Sequence, residues 1–312
     1  MGRQRVLITG GAGFIGTNLV NYLASTGSFD VVVLDDISAG QPPPCFPARV
    51  RLIRQDFTDT SILARALNGV ETVVHLAALS GVIDSIEDPA PSFDINVVGS
   101  FRLIEAARRA GVRSLIVAST GGALLGEVPS PISETMAPAP LSPYGATKLA
   151  LEGYCSAFSG AYGMACAALR FSNIYGPHSA HKKSAVAAFI KKAIRGEDLI
   201  VYGDGTQRRD YLYVGDLVRA IETVILREIT GTYQLGSGRP TSLLELIAAL
   251  ELAAGRQLAV SYLSRRQGEV HSTWCNIDKS AQAFGYVAPT TLETGLRATW
   301  DWFESNKTLW SC

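Results

Sequence analysis

The sequence predicts an α/β fold: a doubly wound parallel sheet over residues 1–170, followed by a smaller mixed α/β domain over residues 171–312 that faces the substrate and sends some segments back to the first core. Three observations predict it. Short apolar runs rich in β-branched residues (Val6-Leu7-Ile8, Val31 to Leu34, Thr72 to Leu76, Ser114 to Ala118) alternate with longer helical patterns, as buried parallel strands joined by crossover helices require. Gly10, Gly13 and Gly16, spaced three apart, follow the first run at once. A carboxylate, Asp35, closes the second run 19 residues beyond Gly16.

Composition narrows the field. A chain of 312 residues buries a core without disulfides or metals. Its 28 basic and 28 acidic side chains balance, and no basic stripe interleaved with aromatics argues for a nucleic-acid partner. The five cysteines (Cys45, Cys155, Cys166, Cys275, Cys312) are scattered with no Cys-x-x-Cys spacing, so we expect reduced thiols, no metal site and a cytoplasmic protein. The amino terminus carries no apolar signal segment, and the longest apolar runs are too short to span a bilayer. We therefore expect no membrane association.

The elements follow in chain order. Glycines after Val6-Leu7-Ile8 permit a tight strand-to-helix turn, and they let the backbone N–H groups around Phe14 and Ile15 approach a pyrophosphate. At Asp35 the unit becomes a Rossmann-type dinucleotide site: the carboxylate meets the adenosine ribose hydroxyls and repels a 2′-phosphate, which favours NAD over NADP. Asp36 follows, then a turn from Ile37 to Gly40 into a Pro-rich loop. Arg49 to Arg54 reads as a third strand ending at Gln55-Asp56-Phe57, where Asp56 is placed to accept from the adenine amino group. Ser61 to Asn68 is a short helix. The fourth strand leads to His75-Leu76-Ala77-Ala78, whose small residues let a cofactor lie across them; His75 itself reads as a packed, hydrogen-bonded core histidine.

Pro89 to Ala110 reads as one long helix with an extensive apolar surface, which points to a partner helix from a second subunit. The fifth strand ends at Ser119-Thr120-Gly121-Gly122, and ligands of open parallel sheets bind beyond such carboxyl ends. Tyr144 and Lys148, four residues apart at the start of the next helix, share one helix face. A lysine beside a tyrosine, with a cationic nicotinamide against the same face, favours the phenolate and makes Tyr144 a proton carrier near neutral pH. Met164 to Arg170 is a sixth strand, and Asn173-Ile174-Tyr175-Gly176-Pro177 leaves the sheet. The remainder mixes helices (Ser184 to Arg195, Val214 to Arg227, Ser242 to Ala254, Leu292 to Phe303) with short strands (Leu199 to Tyr202, Thr232 to Leu235, Leu258 to Tyr262).

Taken together, Thr9 to Gly16, Asp35, His75 to Ala78, Asn96, Ser142 to Lys148, Arg170 to Pro177, Tyr202 to Asp210 and Arg266 to Glu269 resemble the extended short-chain dehydrogenase/reductase family, in its nucleotide-sugar epimerase and dehydratase branch. The resemblance implies that Tyr144 is the acid/base and that Lys148 holds the nicotinamide ribose. It implies that Asn96 belongs to the cofactor site and that Asn173, Arg209 and Arg266 hold the nucleotide diphosphate, for which Arg forks are suited. A Ser or Thr near Ser119-Thr120 contacts the sugar hydroxyl, and the helices containing Pro89 to Ala110 and Tyr144 pair across a two-fold axis in a homodimer. Asp210 and Asp216 read as structural.

The chain departs from the family pattern at Gly121, where a hydroxyl residue is usual, so Thr120 is the first substitute and Ser119 the next. Leu125 replaces a frequent Tyr, and Arg208 a frequent Thr. Related dehydratases use an Asp-Glu pair directly after the active-site Thr; here Gly121, Gly122 and Ala123 carry no proton. The resemblance therefore implies an NAD-dependent UDP-sugar 4-epimerase acting on a hexose or a hexuronate through a 4-keto sugar. The alternatives are a 4,6-dehydratase or decarboxylase, and a silent NAD-binding sensor. Ser80, after the Ala77-Ala78 strand end, resembles the substrate loop of hexuronate epimerases, while Gly121-Gly122 resembles some glucose/galactose enzymes. His181, Lys182 and Lys183 are available to a carboxylate or a phosphate.

Overall fold

The computed structural model describes residues 2–38, 45–264 and 272–310. The Pro-rich loop and Arg266 fall wholly or partly outside them. Strands β1 (Gln4–Thr9), β2 (Phe29–Leu34), β3 (Arg51–Ile53), β4 (Thr72–His75), β5 (Ser114–Thr120) and β6 (Ala165–Phe171) are followed by β7 (Asn173–Tyr175), β8 (Leu199–Tyr202), β9 (Arg208–Tyr213), β10 (Gly231–Leu235), β11 (Pro240–Ser242), β12 (Val260–Leu263) and β13 (Ser272–Thr273). Seven of these form one parallel sheet in the order β10-β6-β5-β4-β1-β2-β3. The order reverses direction between β1 and β4, which opens a crevice at their carboxyl ends.

The sheet is apolar because both faces are covered: Val6, Leu7 and Ile8 have no exposed surface. One face packs against α1 (Phe14–Thr26), and the other against α2 (Thr60–Ala66); α3 (Val82–Glu87), α4 (Pro89–Phe93), α5 (Ser100–Arg109), α6 (Gly122–Leu125) and α7 (Pro143–Tyr162) follow in the chain. Leu19 and Leu23 fill the first interface, joined by Leu217 and Ile221 of α9 (Val214–Arg227). Leu63, Leu103, Ile104, Leu151 and Phe158 fill the second. Each such side chain, fully buried, contributes about 1.5–3 kcal/mol.

Past β6 the chain builds a second core. Leu199 and Val201 of β8 pack with α10 (Leu243–Ala254) and α12 (Leu292–Ser305), and with Val186 and Ile190 of α8 (Ala185–Arg195). α11 (Asp278–Phe284) lies between these last two helices in the chain. β9 is the hub, pairing with β7 and β13 in parallel and with β11 antiparallel, while β10 returns to the edge of the main sheet beside β6.

Three details differ from the sequence expectation. The Pro89 to Ala110 helix is three segments, because a π-helical stretch, Asp94–Gly99, separates α4 from α5. β5 runs two residues further, to Thr120, so both candidate hydroxyls sit in the strand and point to opposite faces. α3 and α11, at six and seven residues, are too short for periodicity to reveal. Among the described residues, no helix is long and apolar enough to cross a membrane.

Candidate active site

The cleft begins at the glycine turn. Gly10 has φ 69°, and a Cβ there would lie 2.6 Å from the Ala77 amide nitrogen. A Cβ on Gly16 would lie 2.1 Å from the Gly10 carbonyl oxygen, so this helix can seat on its own turn only without a side chain. α1 starts at Gly13 with no side-chain cap, which leaves its first N–H groups to meet an anion at the positive end of the helix. Asp35 stands alongside with both carboxylate oxygens oriented, one accepting from Ala12 N (2.9 Å) and the other from Ile37 N (2.7 Å). Burial pushes its pKa above the usual carboxylate value, and those two bonds oppose the push. Asp36 accepts from Ser38, and Asp56 from Thr58 N. A pyrophosphate and a ribose diol fit this donor and acceptor set.

Beneath the cleft, His75 is a core residue, as its sequence context suggested. Its Nδ1 lies 2.7 Å from Thr9 Oγ1, its Nε2 lies 2.8 Å from Ser100 Oγ, and its ring meets Phe57 edge-on at 5.1 Å. Burial, and secondarily the Lys148 charge, pull its pKa down to about 3, so it stays neutral.

The chemistry-bearing residues converge from β5 and α7. Ser142 caps α7 by accepting from Gly145 N at 3.1 Å, Pro143 occupies the first turn, and Ser85 of α3 accepts from Tyr144 N at 3.1 Å. These contacts hold the start of the helix, and hence the tyrosine, near the carboxyl end of β5. One turn on, buried Lys148 donates to the Ala118 carbonyl at 2.9 Å, with its Nζ 5.7 Å from the Tyr144 ring centre. Burial pulls Lys148 down to about 8 and pushes the Tyr144 phenol up to about 12. The expected lowering of the tyrosine thus does not come from Lys148 alone: desolvation outweighs a lysine whose hydrogen bond goes to the backbone.

Ser119 and Thr120 have different surroundings. Ser119 is buried, and its Oγ donates to Glu152 Oε1 at 2.5 Å; Glu152 is also gripped by Arg170 through two bonds of 2.8 Å. Thr120 is half-buried at the end of β5. A side chain at Gly121 would press on its neighbours, since a Cβ would lie 3.0 Å from Gln234 Oε1 and 3.2 Å from Ile132 Cδ1.

A single cavity of about 540 Å³ joins these parts. Gly10, Gly13, Phe14, Ile15, Gly16, Asp35, Asp36, Asp56 and Phe57 line one end; Leu76, Ala77, Ala78, Ser80, Ser119, Thr120, Tyr144, Lys148 and Asn173 line the rest. Asn96 does not line it: its amide accepts from Leu79 N and donates to Leu79 O (2.9 Å each), clamping the loop that does. The Arg209 side chain is also off the cavity wall, with Nη1 donating to the Arg208 carbonyl at 2.9 Å. Asp210 accepts from Ser237, Gly238 and Cys275, and Asp216 from Thr290, which are structural duties. The sequence offered no role for Leu79, Phe171, Ser172, Ile174 or Ser184, which also line the cavity, as do His181 and Lys182. Of these, the basic run at 181–183 carried the one usable signal. Among the described residues, no group of three or more His, Cys, Asp or Glu side chains is placed to hold a metal ion.

Comparison with known proteins gives consistent matches. The sequence profile of the NAD dependent epimerase/dehydratase family matches residues 6–236. A UDP-glucose 4-epimerase of Mycolicibacterium smegmatis is 34% identical, with 97% of this chain and 99% of that protein covered. The crystal structure of Thermotoga maritima UDP-glucose 4-epimerase with UDP-glucose superposes with a TM-score of 0.91 at 34% identity, covering 97% of this chain and all of that one. Bacillus cereus UDP-glucuronic acid 4-epimerase, in complex with UDP-glucuronic acid and NAD, has a TM-score of 0.87 at 30% identity, covering 97% and 99%.

Proposed function

Because the chain belongs to the NAD dependent epimerase/dehydratase family, and its cofactor is accordingly NAD, we propose that it is a UDP-sugar 4-epimerase that inverts C4 of a UDP-hexose or UDP-hexuronate through a 4-keto sugar. One observation carries this reading: the carboxylates lining the cavity, Asp35, Asp36 and Asp56, belong to its adenosine end, and Gly121, Gly122 and Ala123 supply no acid or base beside Tyr144. Dehydration needs a second proton carrier at C5 and C6. Epimerisation needs only one, at O4.

The start of α1 would hold the pyrophosphate of NAD and Asp35 its ribose, and the cofactor would supply a reversible hydride acceptor and a positive charge. Tyr144 takes the O4 proton as C4 is oxidised and returns it when C4 is reduced on the opposite face. Thr120 donates to O4 and steadies the forming carbonyl. Lys148 stays anchored on Ala118, where its charge favours the phenolate. Asn173, which lines the cavity, holds the diphosphate, joined by Arg266 as the resemblance implies; Arg209, bonded to the Arg208 carbonyl and off the cavity wall, must swing in to join them.

The test is incubation of the purified protein with UDP-glucose, UDP-glucuronate and UDP-N-acetylglucosamine, with the products followed by NMR. The expected result is the C4 epimer of at least one of them with no net NADH. A stable 4-keto-6-deoxy product would move the assignment to dehydration, and no conversion of any would favour a silent NAD sensor. Tyr144→Phe is expected to abolish turnover and keep NAD bound.

A homodimer also fits. Ile83, Ile86 and Phe93 on α3 and α4 are 56–68% exposed, and Phe101 continues the patch toward Tyr154 and Phe158 of α7. Apolar surface of this extent favours a partner. A monomeric mass by light scattering at micromolar concentration would count against it.

A further inference from the structure

Three basic side chains crowd the segment that leads into α8. His181 and Lys182 line the cavity shared by Tyr144 and Thr120. Lys191 braces them from behind, donating to the Ala180 carbonyl (2.9 Å) and reaching the Lys182 carbonyl (3.5 Å). Lys182 Nζ lies 3.5 Å from Ser80 Oγ, in the loop after β4, so the two face each other across the cleft. That single long contact leaves most of the ammonium's three donors for a ligand. Burial pulls Lys182 and Lys191 below the usual lysine value, and burial with the two lysine charges pulls His181 down to about 4. Among the described residues no ion pair joins Lys182 or Lys191 to a carboxylate. A half-buried ammonium without a counter-charge is costly, and an anionic ligand relieves it.

The anions expected in the cleft are three. The cofactor pyrophosphate has the start of α1, and the sugar-nucleotide diphosphate has Asn173 in the cavity wall, with Arg209 and Arg266 assigned to it by resemblance. Among the described residues that line the cavity, the lysines are Lys148, which is bound to the Ala118 carbonyl, and Lys182, which is left for a carboxylate on C5 of the sugar. We propose that Lys182, with Ser80 facing it and His181 and Lys191 behind, binds the C5 carboxylate of a hexuronate, which makes UDP-hexuronates the preferred substrate class. The inference rests on the epimerase reading for what happens next, but not for binding. The hydroxymethyl group of a hexose offers Lys182 a hydrogen bond and no charge.

The experiment is calorimetric titration of NAD-loaded protein carrying Tyr144→Phe with UDP-glucuronate, UDP-glucose and UDP. UDP-glucuronate is expected to bind about tenfold tighter than UDP-glucose, since one charge-assisted contact corresponds to about that factor. Lys182→Met should bring the ratio to within about twofold, and Lys182→Arg should keep most of it; Lys182→Gln replaces the Met variant should that one not fold. A ratio near one in the Lys182 protein overturns the inference. So does a loss on Lys182→Met shared equally by all three ligands, which marks a diphosphate contact, or a loss of bound NAD. Selective binding of UDP-glucuronate with no epimer formed by the Tyr144 enzyme would defeat the proposed reaction and leave this inference standing. Epimerisation of UDP-glucose without glucuronate preference would do the reverse.

Discussion

Ser119 Oγ donates to Glu152 Oε1 at 2.5 Å, and this bond commits the serine hydroxyl, at the cavity wall, to a carboxylate of α7. Because side chains alternate along β5, the neighbouring Thr120 faces the other way. Thr120→Ala is therefore expected to lower kcat by on the order of 10², within the range of a single assisting proton or hydrogen-bond donor. Ser119→Ala should change kcat less than threefold and lower stability by about 1–3 kcal/mol, the worth of a bond to a buried carboxylate. The reverse pattern, measured side by side in steady-state assays and urea unfolding, would reassign the hydroxyl.

Glu152 and Arg170 form a buried, bidentate pair, each less than a tenth exposed. Removing one partner strands the other charge, so Glu152→Ala should cost about 3–5 kcal/mol in unfolding. Replacing both with Met is expected to recover most of that loss. A double variant as unstable as the single one would show that the pair is bound to more of the core than its own geometry indicates.

Lys148 is a buried cation that costs the fold stability. Its folded pKa of about 8 lies below its ordinary 10.5, so at pH 7 the proton is bound in both states and the burial cost is fully present. As pH rises from about 8 to 10.5 the folded protein loses that proton first, and stability should increase. Lys148→Met is expected to abolish turnover and raise unfolding stability at pH 7 by about 1–2 kcal/mol, the loss of its bond to Ala118 O offsetting part of the gain. The advantage should fade by pH 10.5. Calorimetric melting at several pH values checks the sign.

Asp35, which we propose sets the cofactor preference, carries one negative charge whose position is fixed by Ala12 N and Ile37 N. Asp35→Asn should weaken NAD and strengthen NADP, shifting the ratio of their dissociation constants about tenfold or more, as removal of a like-charge repulsion predicts. An unchanged ratio in fluorescence titrations would place the discrimination elsewhere in the site.

Much of the cofactor half was legible because its signals are local. Glycine spacing, a buried strand and a carboxylate at the next strand end are constraints a short segment imposes on itself, and the structure places Gly10, Gly13, Gly16, Asp35 and Ala77 around one cleft. The Tyr144 and Lys148 spacing is local too, and so is their shared helix face. Asn96 was harder to read: a π-helical turn and a reach back to Leu79 put its amide on the loop backbone, and neither can be seen in a residue string.

By itself, then, the sequence determined the parallel sheet, the dinucleotide turn and the residue types able to move a proton, because burial pattern and backbone sterics act over a few neighbours. Only the tertiary structure showed that the Ser119 hydroxyl is bonded to Glu152, 33 residues away and on another element. It also decided that burial, rather than the neighbouring lysine, governs the Tyr144 phenol, and that Lys182 meets Ser80 across 102 residues of chain. Desolvation and long-range contact are properties of the packed molecule, and no local pattern encodes them.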